Sequence, residues 1–158
     1  MSLKKYEVVI SGMGGLFPGC EDMYDVEKKL YNMEEMVEEQ QLWYSDFGVP
    51  KFIGKLRYSH ALDNKFFGLY SQLYNIMDPL TTQSLQYSFE AICDAGVNPF
   101  SLNGSKTAVL MSSAVSEIEF SVIEAYKQQN IGLVGQSRGM QANRVSYFLN
   151  LQANVIRC

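Results

Sequence analysis

Histidine is nearly absent from this sequence: the 158 residues contain one, His60, in the polar stretch "RYSHALD". A lone surface imidazole excludes His-rich metal sites and leaves no second imidazole for a paired acid–base mechanism. Cysteine is equally sparse. Cys20, Cys93 and Cys158 stand far apart with no C-x-x-C, which removes zinc-ribbon and thioredoxin-like readings. An odd, scattered count suits a reducing compartment. Long apolar runs are missing too. Val8-Val9-Ile10, following Lys4-Lys5, is too short for a signal peptide or a membrane span, so the expectation is a cytoplasmic protein with no membrane partner. Clustered positive charge is the last absence. Thirteen Lys and Arg face 17 Asp and Glu, a net charge of -4, and only Lys4-Lys5 and Lys28-Lys29 adjoin. Phosphate neutralisation needs basic residues gathered on one face, so nucleic acid is not an expected partner.

What is present is core material. Hydrophobic residues make up 47% and charged residues 19%, with ten Tyr, nine Phe and eight Met, which fits one globular domain or part of one. "YEVVIS" (6–11) predicts a buried strand running into the glycine loop "GMGGLFPG". Asp22 predicts a helix cap, with Met23, Val26, Leu30 and Met33 on one face. Glu34, Glu35, Glu38 and Glu39 read as a solvated helix end, residues 37–50 as irregular, and "KFIGKLRY" (51–58) as a short extended piece weakened by Gly54. The strongest local signal is "MDPLTTQSLQYSFEAICDAG". Asp78 fits an N-cap, Pro79 the first helical position, Leu85, Phe89 and Ile92 a buried face, and Gly96 a left-handed C-terminal cap. "KTAVLMSS" (106–113) predicts a second buried strand. Glu117 to Gln128 predicts a helix, as does a final stretch capped by Ser137 with Ala142, Val145 and Leu149 recurring. This order of strands and helices is α/β.

Local chemistry yields little. Gly12 and Gly14 open a G-x-G-x-x-G, but Phe17 takes the third glycine place, so the loop reads as a tight turn packed against the sheet and not as a pyrophosphate cradle. Gly135, Ser137 and Gly139 have nucleophile-elbow spacing, but no strand precedes them and the only histidine lies upstream. Cys93, beside core-facing Ile92, reads as an inert buried thiol. Cys20 has Glu21 and Asp22 beside it, which discourage a thiolate. Cys158 has no following helix to lend its amides. No cofactor or metal site is expected.

Larger segments resemble a known family in unbroken order. "EVVISGMGGLFPGCEDM", "RYSHALDNKFFGLYSQLYNIMDP", "YSFEAICDAGVNPFSLNGSKTAVLMSSAVSE" and "GQSRGMQANRVSYFLNL" together resemble the N-terminal part of the β-ketoacyl synthase domain of an animal-type, insect-like fatty acid synthase. The resemblance implies a thiolase-like α/β fold, of which residues 1–158 would be an incomplete N-terminal half of the α-β-α-β-α layered ketosynthase. It implies a parent that condenses acyl and malonyl thioesters on acyl carrier protein, as a homodimer, with no cofactor. In the family the A-N-R helix leads to a G-P-S-x-x-x-D-T-A-C pattern whose Cys is the nucleophile, with two histidines farther on. Here Ala153 and Asn154 occupy the G-P places, "VIRC" does not match, and Cys158 arrives early. The expectation is therefore a partial domain truncated just before the nucleophile and inactive by itself. Arg138, Asn143 and Arg144 match the motif as supporting residues, with no catalytic residue present. Thr82 stands near a family arginine, and Ala108 and Ser112 where glycines are usual. Two alternatives stay open: a polyketide-synthase-type ketosynthase fragment, and a non-catalytic half-domain that pairs with a full-length synthase.

Overall fold

The structure, a computed structural model, describes residues 7–39, 51–56, 62–113, 139–152 and 156–157. The chain divides into two compact units, one of Met13–Ser59 and one of Met1–Gly12 with His60–Cys158.

In the smaller unit, α1 (Met23–Tyr31) starts where the sequence expects it. The Asp22 side chain accepts from the Asp25 amide at 2.7 Å, satisfying one orphan N–H of the first turn. Val26 is buried as expected, but Leu30 is exposed and Met33 lies outside the helix, so the predicted apolar face is only half realised. Lys29 holds the N-terminal end of the unit together. Its ammonium donates to the Gly19 carbonyl and pairs with Asp25 at 3.1 Å. The glutamate stretch is solvated but is not a helix end: α1 stops at Tyr31, and β1 (Glu38–Glu39) pairs antiparallel with β2 (Phe52–Ile53). The extended piece predicted after residue 51 is thus real, and a two-residue strand lies inside the stretch read as irregular. Cys20 is buried, and its thiol donates to Met36 Sδ at 3.6 Å.

The larger unit is helical at its centre. Asp63 caps a single turn by accepting from the Lys65 and Phe66 amides, each at 3.0 Å, and Gly68 closes that turn at φ +66°. α2 (Ser71–Ile76), α3 (Pro79–Asp94), a 3-10 turn (Pro99–Leu102) and α4 (Met140–Phe148) follow. α3 packs on α4. Phe67, Leu69, Leu73, Ile76, Met77, Leu85, Val145 and Leu149 form the core, with Phe89, Ile92, Val109 and Phe148 against it. The expected buried faces of α3 and α4 are therefore present. The Phe67 and Phe148 rings sit 4.8 Å apart between centroids, and Phe66 meets Phe89 edge-on at 5.3 Å, geometries that aromatic pairs favour.

The strands depart most from expectation. Residues 7–11 join no ladder among the described residues, and Val8, Val9 and Ile10 are 96%, 70% and 83% exposed. The second predicted strand survives only as β3 (Leu110–Met111), paired parallel with β4 (Ile156–Arg157). Gly12, at the start of the glycine loop, packs on a helix: a Cβ there would stand 2.1 Å from the Ala91 carbonyl oxygen and 2.6 Å from the Ala95 amide nitrogen, both at the end of α3. The predicted helix from Glu117 to Gln128, the Ser137 cap, His60 and Cys158 lie outside the described residues. At Gly139, the residue before α4, no side chain caps the helix.

Candidate functional site

Two of the three motif residues lie on α4. Asn143 and Arg144 occupy successive positions near its middle, while Arg138 lies outside the described residues. The helix is anchored by Ala142, Val145 and Leu149, which bury one face against α3 and hold the neighbouring polar positions in fixed register. Asn143 is exposed, and its amide makes a long contact of 3.9 Å to Met140 Sδ. Arg144 is half-buried. Burial pulls its guanidinium below the ordinary arginine value, and the Tyr70 phenol opposes that shift. It remains a permanent cation at any physiological pH.

The start of α3 brings further polar groups inside. Asp78 is buried and accepts from the Leu80 amide at 2.8 Å. Thr81 and Thr82 are buried as well, and the Thr82 hydroxyl donates to the Pro79 carbonyl at 2.8 Å. Thr82 thus hydrogen-bonds locally and brings no charge into the interior. Gln141 and Ser146 on α4 are also buried. Asp78 and Thr82 order the backbone at the start of α3. No side chain among them is an activated nucleophile beside a base.

The thiols give no alternative centre among the described residues. Cys20 is buried against Met36. Cys93, expected to be buried, is exposed on α3: one helical step of about 100° carries it off the face that Ile92 uses. No group of three or more His, Cys, Asp or Glu that could hold a metal occurs among the described residues, and no helix there is long and apolar enough to cross a membrane. A shallow depression in the smaller unit is lined by Glu21, Asp22, Asp25, Lys28 and Lys29, of which Asp25 and Lys29 pair with each other. The sequence reading missed Tyr70 and α2 behind it. No capping side chain marks that six-residue helix, and only the apolar pair Leu73 and Ile76 hinted at it.

Comparisons with known proteins converge. A family model described as beta-ketoacyl synthase, N-terminal domain, matches residues 5–157. The fatty acid synthase of Anser anser anser is 37% identical over 153 residues, covering 92% of this chain and 42% of that protein. Polyketide synthase GfsA of Streptomyces halstedii is 28% identical over 155 residues, covering 94% of this chain and 2% of that one. Among solved structures, the ketosynthase from module 6 of the bacillaene synthase of Bacillus subtilis 168, as its C167S mutant, has a TM-score of 0.69 at 27% identity, covering 94% of this chain and 26% of that chain. The chain thus spans less than half of the goose synthase and about a quarter of the ketosynthase. The fold is that of the N-terminal part of a thiolase-like ketosynthase domain.

Proposed function

The chain belongs to the β-ketoacyl synthase family, as sequence of its N-terminal domain, and from that premise we propose that it is the scaffold portion of a fatty acid synthase ketosynthase of the animal, insect-like type. The intact parent would join an acyl thioester to a malonyl unit on acyl carrier protein by decarboxylative condensation, working as a dimer. The observation that carries the fatty acid reading is the 37% identity to the goose synthase across nearly the whole chain, against 28% for the polyketide synthase. A cytoplasmic setting accords with the free thiols Cys20 and Cys93; recovery of the protein from a membrane pellet would count against it.

In this reading the 158 residues position the site and do not perform its chemistry. Asn143 and Arg144 lie on a helix packed by its apolar face, and the buried Cys20 thiol is engaged with Met36 Sδ. The expected outcome is that the purified chain, incubated with acyl-CoA or acyl carrier protein thioester, shows no acyl adduct by intact mass. Near-stoichiometric acylation, at Cys158 or elsewhere, would overturn it. Sequencing the transcript past the codon for Cys158 tests the parent directly: a D-T-A-C pattern soon after supports a ketosynthase of ordinary design.

A second reading has its own support. The exposed run Val8–Ile10 offers an apolar segment to another chain, which suits non-catalytic pairing with a full-length synthase. Co-purification of the two would favour it, and a monodisperse monomer that binds no synthase would remove it.

A further inference from the structure

Asn103 precedes Gly104 on the exposed turn after the 3-10 segment, and both residues are tied to one partner at the end of α4. The Gly104 amide donates to the Asn150 carbonyl at 2.8 Å. The Asn150 side-chain amide donates to Asn103 Oδ1 at 2.5 Å. One step further, the Gln152 amide donates to the Ser105 carbonyl at 2.9 Å. Asn150 itself stands at φ +49°, as the left-handed residue that closes α4.

This pair of residues has a definite reactivity. The Gly104 backbone nitrogen, with no side chain to shield it, can attack the Asn103 side-chain carbonyl carbon. A C–N bond forms, a proton leaves the nitrogen, and ammonia departs, giving a five-membered succinimide. Water then opens the ring at either carbonyl and leaves aspartate or isoaspartate. Ring closure needs Cβ, Cα, the carbonyl carbon and the next nitrogen near one plane, which for an L-residue demands a strongly negative ψ. Folded Asn103 sits at φ -50° and ψ +125°. The attacking N–H is committed to Asn150, and so is the carboxamide. The folded turn therefore blocks the reaction three times over, and each block depends on the end of α4 staying in place.

We propose that Asn103 is a deamidation site gated by the Asn150 cap of α4, so that transient opening of that cap exposes the residue to an irreversible change. Isoaspartate would add a methylene to the backbone between Asn103 and Gly104 and break the register of the Gly104–Asn150 and Ser105–Gln152 pairs. The mark would prevent the cap from closing again.

Peptide mapping by mass spectrometry tests this. The chain is aged at mildly alkaline pH and 37 °C, folded and in denaturing urea diluted to matched pH. Asn103 should convert readily when unfolded and at least several-fold more slowly when folded. Asn150→Gly keeps the left-handed backbone but loses the side-chain clamp. It should raise the folded rate by roughly two- to tenfold, the span set by one hydrogen bond's net contribution, with no change in urea. Equal folded and unfolded rates in the unmutated chain would overturn the proposal, and that comparison does not depend on how the variant folds. An unchanged folded rate in an Asn150→Gly protein that melts normally would overturn it as well.

Discussion

Three helices end on a residue in left-handed backbone, and the three residues differ in chemistry: Met33 after α1 at φ +55°, Gly96 after α3 at φ +71° and Asn150 after α4 at φ +49°. Each closes the same pair of backbone bonds. After α3, for instance, Gly96 N–H reaches the Cys93 carbonyl at 2.9 Å and Val97 N–H the Ile92 carbonyl at 3.2 Å. Gly96 adopts this conformation freely, Asn150 tolerates it, and Met33 does so against the steric preference of a Cβ-bearing residue. Because Met33 is 90% exposed, little packing is lost by shortening it. Met33→Gly should stabilise the smaller unit by about 0.5–1 kcal/mol, the left-handed penalty less glycine's extra entropy in the unfolded chain; a lower urea midpoint would contradict this. Gly12 is the opposite case. Its constraint is space, and a methyl group there collides with backbone atoms of α3 that cannot rotate away. Gly12→Ala should cost about 3 kcal/mol or more, readable as a fallen or broadened thermal transition. A variant that melts like the parent would show that Gly12 does not pack there. The Asp25–Lys29 pair makes a smaller claim. The Lys29 hydrogen bond lowers the Asp25 carboxyl below its ordinary value, so its contribution is present above the ordinary carboxylate range and fades as pH falls through the depressed one. The pair is solvated, so added salt should flatten this acid limb, and Asp25→Asn should remove it; melting points across pH at two salt concentrations would show either.

At the scale of the element, α3 was legible from end to end. Asp78 caps it, Pro79 opens it and Gly96 closes it, because those signals act within one turn and need no distant partner. Asp78→Ala should cost about 1–2 kcal/mol, more than an exposed cap would, since the Leu80 amide is then left unsatisfied in a buried place. Asp78→Ser should recover most of that in a urea melt. Leu85, 2% exposed in the α3–α4 contact, should cost about 2–5 kcal/mol as Leu85→Ala. The strands were legible only in composition. "YEVVIS" has the residues of a buried strand, yet strand formation requires a neighbour to accept its ladder, and residues 7–11 have none among the described residues. The same limit hid β1, since Glu38 and Glu39 carry no β signature and pair only because Phe52 and Ile53 arrive opposite them. Cys93 was misplaced for a different reason: adjacency to a core residue in sequence is not adjacency on a helix face. Asn143 and Arg144 were found through the family motif alone, and no periodicity would have singled them out.

Taken whole, the molecule shows both a consolidated helical core and apolar surface that the core leaves open. Val8, Val9, Ile10 and Leu110 are exposed in the larger unit, and such surface favours self-association. Val9→Lys should slow aggregation in a light-scattering time course while leaving the melting midpoint nearly unchanged, since the side chain is already in water. An unaltered aggregation rate would move the sticky surface elsewhere. The alignment to the bacillaene ketosynthase covers 94% of this chain and 26% of that one.

The parallel pairing of Leu110 with Ile156 and of Met111 with Arg157 has a kinetic consequence. α3 and α4 can each nucleate from residues a few positions apart, whereas this ladder must bring together segments on either side of the whole α4 region. Closing so large a loop for two residue pairs carries a high entropic cost and little cooperative reward. The strand junction should therefore be the last contact made during folding and the first whose amides exchange with deuterium, tethering the chain's final residues only as long as the helices beneath it persist.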